Sequence, residues 1–365
     1  MLTLFDTFGN NVRVWPHKEL QMIQALPATS REIRLKSQPE GLPRADDFEI
    51  VSTPLPTPSD REVLVRNRYF LLSASLRMMI SKGAQDVKGV PFPALREGDT
   101  LAAEALGEIV SAPAGSGFSP GDLVLHFQGW RDYAAVPMAD CQRVGGGLPD
   151  PIAYLGHGWT AYAALTRGVQ LNPGDTVFIS SAAGANGSMA GQIARLLGAG
   201  RVIGSTSSSE KAARLVSELG YDAAVCRGST PIVEQLAVAA PEGIDVFLDN
   251  VGGEQLQAAI AVAREGARVV IVGTLSGQLA SHGAGRTAPV ELDSVQLLVK
   301  RITLRGYSAD DHPEAYADWI HQFAQWLEAG SIRFPHEIVD GLDHAPLALE
   351  RVIRGEYFGT VLIKP

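Results

Sequence analysis

The most specific chemistry in this chain lies in a run of small residues. Thr176-Val-Phe-Ile-Ser-Ser-Ala-Ala-Gly-Ala-Asn-Gly187 passes from an apolar strand into the pattern Ala182-x-Gly184-x-x-Gly187, where a helix is predicted to begin. At such a turn Gly184 lets backbone approach a pyrophosphate and Gly187 lets helix and strand pack closely. The first helical amides then supply donors and a favourable dipole. Ala182 stands where a first glycine is usual, and a tight turn with no ligand uses the same residues. The strand-then-helix context favours a dinucleotide, held by Ala183, Gly184, Asn186 and Gly187.

The next strand selects the dinucleotide. It ends Val202-Ile-Gly-Ser-Thr-Ser-Ser208, with no acid before Glu210. An NAD site usually holds the ribose 2′-hydroxyl with a carboxylate here, and that carboxylate would repel a 2′-phosphate. Ser207 and Ser208 leave room and donate hydrogen bonds, while Lys211 and Arg227 are cations that can pair with the phosphate. The plain alternative for Lys211 is a surface ion pair with a helix neighbour. The expected cofactor is NADP(H).

These residues need a scaffold. After Pro151 near-continuous apolar strands alternate with amphipathic helices: Asp175–Ser180, Ser188–Leu197, Arg201–Ser205, Ser209–Leu219, Ala223–Arg227, Pro231–Ala239, Val246–Asp249, Gly253–Ala263, Arg268–Gly273 and Ile302–Ser308. That rhythm predicts a parallel sheet covered on both faces. Helices are also expected over Ile152–Ala164 and over Glu314–Leu327, the latter with Trp319, Phe323 and Trp326 inward. Before Asp150 the pattern is strand-like, with runs at Arg31–Leu35, Phe48–Thr53, Glu62–Leu72 and Leu101–Ala112 separated by proline-rich turns. The tail from Pro335 returns to a β pattern and is expected to complete that first domain.

Composition narrows the function classes. A net charge of −9 makes nucleic acid an unfavoured partner. Cys141 and Cys226 are the only cysteines, too few for a disulfide framework or a four-cysteine zinc site, and a reducing cytoplasm is the expected setting. The uncharged stretch Thr176–Ala194 holds too many Ser, Gly and Asn residues for a membrane span, so no membrane partner is expected. Met1–Gln21 shows no apolar core or small-residue cleavage site of a signal peptide, and residues 1–26 are read as an extension, or as an expression or start-site artefact.

The chain resembles the medium-chain dehydrogenase/reductases, in the branch of the prostaglandin reductases and plant alkenal double-bond reductases. Gly158-Trp-Thr-Ala-Tyr162, Ala182-Ala-Gly-Ala-Asn-Gly187 with Gly191-Gln-Ile-Ala194, Glu210-Lys211 and Asp249-Asn-Val-Gly-Gly253 carry the resemblance. It covers roughly Arg31 to Pro365. It implies an α/β chain with a GroES-like, mostly β catalytic domain (27–150 and 331–365) enclosing a Rossmann doubly wound parallel-sheet domain (151–330). It also implies that Lys211 contacts the 2′-phosphate, that Asn250 lies along the cofactor with Gly273 and Leu275 following, and that Thr160 sits beside the nicotinamide. Arg227 falls where relatives often carry tyrosine. Zinc relatives need cysteine and histidine ligands, whereas the equivalent stretch here is Ala103-Glu-Ala-Leu-Gly107, so no metal is expected.

The catalytic half departs from its relatives. Ser75-Leu-Arg-Met-Met79 replaces an Asp-Pro-Tyr-Met-Arg run, no tyrosine follows Gly273, and Gly355-Glu-Tyr-Phe-Gly-Thr360 replaces a Gly-x-Asn-x-Gly-Lys pattern. Candidates for the missing polar role are Tyr69, Arg77 and His157, with Trp130, Tyr133 and Gln278 as pocket wall. Arg77 faces a carbonyl-bearing or acidic substrate, or pairs with Glu104. His157 donates to a substrate oxygen, or bonds backbone at a helix start. The expected reaction is NADPH-dependent reduction of the double bond of an α,β-unsaturated carbonyl. The alternatives are a quinone oxidoreductase and, in another class, a catalytically silent NADPH-binding sensor or interaction protein. A homodimer is expected through the sheet edge formed by Arg268–Gly273 and Ile302–Ser308.

Overall fold

The computed structural model describes residues 26–84, 94–228, 230–281 and 287–365, together with the backbone of 4–5 and 11–12. Leu4–Phe5 and Asn11–Val12 form a short antiparallel ladder. The reading of residues 1–26 as an extension otherwise lies outside the described residues.

β1 (Thr29–Leu35) and β2 (Phe48–Pro54) pair antiparallel. The larger antiparallel sheet is organised on β3 (Glu62–Leu72), which is followed by the short helix α1 (Leu76–Ile80). β4 (Ala105–Ser111) pairs β3 along most of its length, β5 (Leu123–His126) pairs β4, β6 (Tyr133–Pro137) pairs the start of β3, and β7 (Gln142–Arg143) pairs β5. A strand over Leu101–Ala112 is expected from sequence, yet ladder pairing begins only at Ala105. Three of the four residues before it are held singly: Leu101 N donates to Ile33 O, Gly129 N to Ala103 O and Leu71 N to Glu104 O, each at 2.9 Å.

The expected helix Ile152–Ala164 is broken. Asp150 accepts from Ile152 N at 3.0 Å and starts a tight 3-10 turn over Pro151–Leu155. Gly156 then runs extended at ψ 147°, and α2 (Gly158–Ala163) restarts after His157 before widening into a π turn through Gly168.

The parallel sheet follows. β8 (Thr176–Ile179), α3 (Ala185–Leu196), β9 (Arg201–Thr206), α4 (Ser209–Leu219), β10 (Ala223–Cys226), α5 (Ile232–Ala239), β11 (Ile244–Asp249), α6 (Gly253–Val262) and β12 (Ala263–Ile271) alternate along the chain. α7 (Leu275–Gln278) and α8 (Ser294–Val299) lead to β13 (Thr303–Gly306), giving the strand order β10-β9-β8-β11-β12-β13, all parallel. The order reverses between β9 and β11 about β8, so a crevice opens at the carboxyl ends of β8 and β11. β8 and β11 are central and apolar, with Phe178 stacked on Phe247 at 4.8 Å. β12 is flanked on both sides, so the outer edge is β13 alone rather than the Arg268–Gly273 segment with it.

α9 (Ala315–Glu328) packs against α2. Trp319 and Phe323, one turn apart, stack at 4.4 Å and are buried, while Trp326 is half-buried. Burial of each large side chain contributes about 2–3 kcal/mol. The tail returns to the first sheet: β14 (His336–Asp340) pairs parallel with β15 (Thr360–Lys364) across α10 (Ala345–Ile353), and β15 runs antiparallel to Phe70–Leu72 of β3. Among the described residues no helix is long and apolar enough to cross a membrane.

Candidate functional site: a dinucleotide crevice at the domain junction

Adjacent strand ends are latched at the crevice. Ser180 Oγ donates to Asp249 Oδ1 at 2.8 Å, and Asn250 N donates back to Ser180 Oγ at 2.7 Å. Asp249 Oδ1 also accepts from Val251 N and Gly252 N, both at 2.9 Å. Burial raises the Asp249 pKa, and these donors oppose the shift. Asn250 Nδ2 donates to Ser180 O at 2.7 Å, and Asn186 Nδ2 donates to Asn250 Oδ1 at 2.6 Å. Asn186 Oδ1 is left buried with no partner among the described residues.

The glycine turn is built as its residue types require. A Cβ on Gly187 would lie 2.3 Å from Ser181 O, and one on Gly191 would lie 2.1 Å from the Tyr221 ring. Only glycine therefore lets α3 sit this close to β8 and β9. Tyr221 fixes the approach by donating from its hydroxyl to Gly187 O at 2.6 Å. Gly184 is extended, and no side chain caps α3, so the helix N-terminus is free for an anion. The tail crosses here, with Gly359 N donating to Ala183 O at 2.9 Å.

At the end of β9 no carboxylate appears before the exposed Ser207. Ser208 caps α4 by accepting from Lys211 N at 3.4 Å. The Lys211 side chain is engaged: Nζ donates to Tyr357 O at 2.6 Å and also to Gly355 O, and burial lowers its pKa. Arg227 differs. Its amide donates to Thr206 O at 2.9 Å, but its exposed guanidinium has no partner among the described residues. Of the two expected cations, Arg227 is open and Lys211 clamps the tail.

Gly273 and Leu275 line the crevice through backbone: Gly273 N donates to Asp249 O and Leu275 N to Asn250 O, each at 3.1 Å. Arg77 does not face an open pocket and does not pair with Glu104. It is fully buried, and its guanidinium donates to Ala280 O at 2.7 Å and to Gln278 O. It ties α1 to the segment after Gly273. The Gln278 side chain reaches Met78 Sδ at 3.5 Å. Trp130 is core rather than pocket wall, 1% exposed between Phe48 and Phe70 at 6.2 and 5.2 Å. Tyr133 lies on β6 opposite Arg66, with its amide on Ser30 Oγ at 3.2 Å, which fixes it to the β1–β3 side of the domain. Tyr69 is buried in an apolar cluster with Leu106, Ile152 and Leu362.

Thr160 is half-buried in the first turn of α2. His157 precedes that helix without capping it. Its Nδ1 is buried and finds no partner among the described residues, and burial lowers its pKa. Glu104 and Tyr316 are absent from the sequence-derived candidates. Glu104 lies just before β4 and Tyr316 on α9, near enough for the Glu104 charge to act on the Tyr316 phenol. Burial pushes the Glu104 carboxyl up to about 7, and burial together with the Glu104 charge pushes the Tyr316 phenol up to about 12. Trp159 closes the group with its ring edge on Tyr316 at 5.3 Å. The one sequence signal for this pairing was a lone acid in the otherwise apolar Leu101–Gly107 run.

Comparison with known proteins fits this geometry. Residues 31–144 match the family described as the N-terminal domain of oxidoreductase, and residues 185–326 match the family described as zinc-binding dehydrogenase. The NADPH-dependent curcumin reductase of Escherichia coli is 30% identical over 335 residues, covering 90% of this chain and 95% of that protein. Prostaglandin reductase 1 of Bos taurus is 30% identical over 341 residues, covering 90% and 97%. The crystal structure of CurA from Vibrio vulnificus in complex with NADPH superposes with a TM-score of 0.82 at 32% identity, covering 92% of this chain and 98% of that one.

Proposed function

The chain belongs to the medium-chain dehydrogenase/reductases, in the branch of the prostaglandin and alkenal reductases, and from that premise we propose that it uses NADPH to reduce the carbon–carbon double bond of an α,β-unsaturated carbonyl. The observation that carries this reading is the crevice itself. It combines an uncapped helix N-terminus at Gly184, an orphaned acceptor on Asn186 and a β9 end without a carboxylate. The α3 amides would hold the pyrophosphate. Ser207, Ser208, Arg227 and one remaining donor of Lys211 would hold the 2′-phosphate. Asn250, already oriented by Ser180, Thr160 and the backbone at Gly273 and Leu275 would flank the nicotinamide half.

When bound, NADPH would supply the hydride that the substrate β-carbon takes up. The tail, held across the glycine turn by Gly359 N on Ala183 O, would help exclude water from the crevice, which strengthens the polar contacts inside it. No metal step is part of the proposal. Among the described residues no three His, Cys, Asp or Glu side chains gather to hold an ion. An enone needs no Lewis acid, because charge developing on its oxygen is stabilised by hydrogen bonds.

The same reading divides the chain into a catalytic domain of 27–150 and 331–365 around a cofactor domain of 151–330. It assigns a cytoplasmic setting on two unpaired cysteines and a homodimer through β13. β13 is exposed throughout, and Leu304 on it lies near in sequence to exposed Val295, Leu298 and Val299 of α8. An unpaired edge of this kind invites strand addition, and a two-fold axis closes it.

Steady-state NADPH oxidation against enones, enals, quinones and saturated ketones tests the function. Turnover of enones with loss of the double bond is the expected result. Oxidation by quinones alone would move the assignment to quinone reduction. Tight NADPH binding with no turnover on any acceptor would make the chain a binding protein.

A further inference from the structure

Two stretches that depart from the relatives' pattern, Ser75–Met79 and the residues after Gly273, meet in the structure. Arg77 of α1 is fully buried and donates to Ala280 O at 2.7 Å and to Gln278 O. Gln278 Nε2 reaches Met78 Sδ at 3.5 Å, one residue further along α1. Leu279, between the two carbonyls, packs against the apolar core that holds Leu76, Met79 and Ile80. The other end of this segment belongs to the parallel sheet. Gly273 N donates to Asp249 O and Leu275 N to Asn250 O, each at 3.1 Å, and Ser276 N donates to Val251 O at 2.9 Å. Residues 273–280 therefore form a strap, with one end on the rim of the crevice and the other set in the core of the antiparallel domain.

Resting on the proposed NADPH-dependent double-bond reduction, we propose that Arg77 is a positioning residue for it: by anchoring the strap, Arg77 fixes the backbone of Gly273 and Leu275 against the nicotinamide half of the cofactor. It acts through the strap, not by touching the reacting atoms. α7 ends at Gln278, and among the described residues no backbone N–H reaches Gln278 O or Ala280 O. The guanidinium supplies the missing donors from one rigid plane, and charge-assisted bonds of this kind are about twice as strong as neutral ones. With the strap held, the nicotinamide wall is formed before the cofactor arrives. With it loose, only a fraction of molecules presents that wall, and apparent affinity falls by the same fraction.

The sheet order separates this effect from binding of the 2′-phosphate. Ser207 and Ser208 follow β9 and Arg227 follows β10, whereas the strap follows β12, with β8 and β11 between them. A purely structural Arg77 would affect every ligand of the crevice alike, through the fraction of chain that is folded. A positioning Arg77 affects the nicotinamide end and spares the adenosine end.

The test is isothermal titration of NADPH and of adenosine 2′,5′-bisphosphate, which has the 2′-phosphate but no nicotinamide, together with kcat on an enone. The proteins are wild type, Arg77→Met, Arg77→Lys and Leu279→Ala. Arg77→Met should raise the NADPH dissociation constant about tenfold and lower kcat about 100-fold, with affinity for the bisphosphate unchanged. Arg77→Lys keeps donors for both carbonyls and should recover most of both losses. Leu279→Ala loosens the strap without removing the buried cation and should repeat the selective loss at smaller size, so it decides alone where Arg77→Met does not fold. Equal weakening of NADPH and the bisphosphate, unchanged NADPH affinity and kcat, or Arg77→Lys as damaged as Arg77→Met would overturn the proposal. Wild-type failure on every enone would sink the double-bond reading instead, and the two titrations would still decide the role of the strap.

Discussion

Asn186 Nδ2 donates to Asn250 Oδ1 at 2.6 Å, and this one bond joins the glycine turn to the end of β11 while leaving Asn186 Oδ1 buried and unsatisfied. An orphaned buried acceptor costs free energy unless a ligand satisfies it. Asn186→Ala is expected to weaken NADPH and NADH alike by about tenfold, roughly 1.4 kcal/mol, because the contact lies on the half both cofactors share. The melting temperature of the cofactor-free chain should fall modestly, because the substitution removes one orphan but leaves the buried Asn250 Oδ1 without its donor. Isothermal titration with both cofactors checks this; unchanged affinity for both would place the orphan outside the cofactor contact.

The two cations at the 2′-phosphate are expected to behave differently. Arg227→Ala should raise the NADPH dissociation constant by about 1.5–3 kcal/mol and leave NADH unchanged, with no loss of thermal stability. Lys211→Ala should lower NADPH affinity and also lower the melting temperature of the cofactor-free chain, because Lys211 holds Gly355 O and Tyr357 O of the tail. Equal effects of Arg227→Ala on both cofactors would misplace the phosphate.

The alternation of strands and helices after Pro151 was legible because the central strands β8, β9 and β11 are buried almost throughout, while the edge strand β13 is exposed. The glycine turn was legible because Gly187 and Gly191 answer to hard contacts that no other residue survives. The roles of Arg77 and Trp130 were not legible. Arg77 finds its partners two hundred residues away, at Gln278 O and Ala280 O, and Trp130 packs on Phe48 and Phe70 from two other strands. Local pattern carries no record of such contacts. Glu104 escaped for the same reason: its neighbour Tyr316 arrives on α9, placed by the packing of that helix on α2. The broken helix at Gly156 lay hidden because Ile152–Ala164 is mostly apolar apart from His157 and Thr160, and periodicity does not register a single extended glycine.

Stability should respond to pH from two directions. Burial, with a smaller effect of Arg131, pushes His126 down to about 3, from 6.5 in the unfolded chain. The unfolded state therefore binds the extra proton below 6.5, and the fold loses about 1.4 kcal/mol per pH unit as pH falls from there. His157, also lowered by burial, acts in the same direction. Glu104 acts oppositely. Its pKa is raised from 4.5 to about 7, so its contribution is full below 4.5 and is lost as pH rises to about 7. Glu104→Gln removes the falling part, and its melting temperature should climb more steeply between pH 4.5 and 6.5 than that of wild type. Parallel curves for the two proteins would show that Glu104 ionises freely in the fold.

The most direct measurement follows a labelled hydride. With NADPH deuterated at the transferring position and an enone as acceptor, NMR of the product should show one deuterium at the β-carbon, one solvent proton at the α-carbon and an intact carbonyl. Deuterium at the carbonyl carbon, giving an allylic alcohol, or a product without carbon-bound label, would contradict reduction of the double bond.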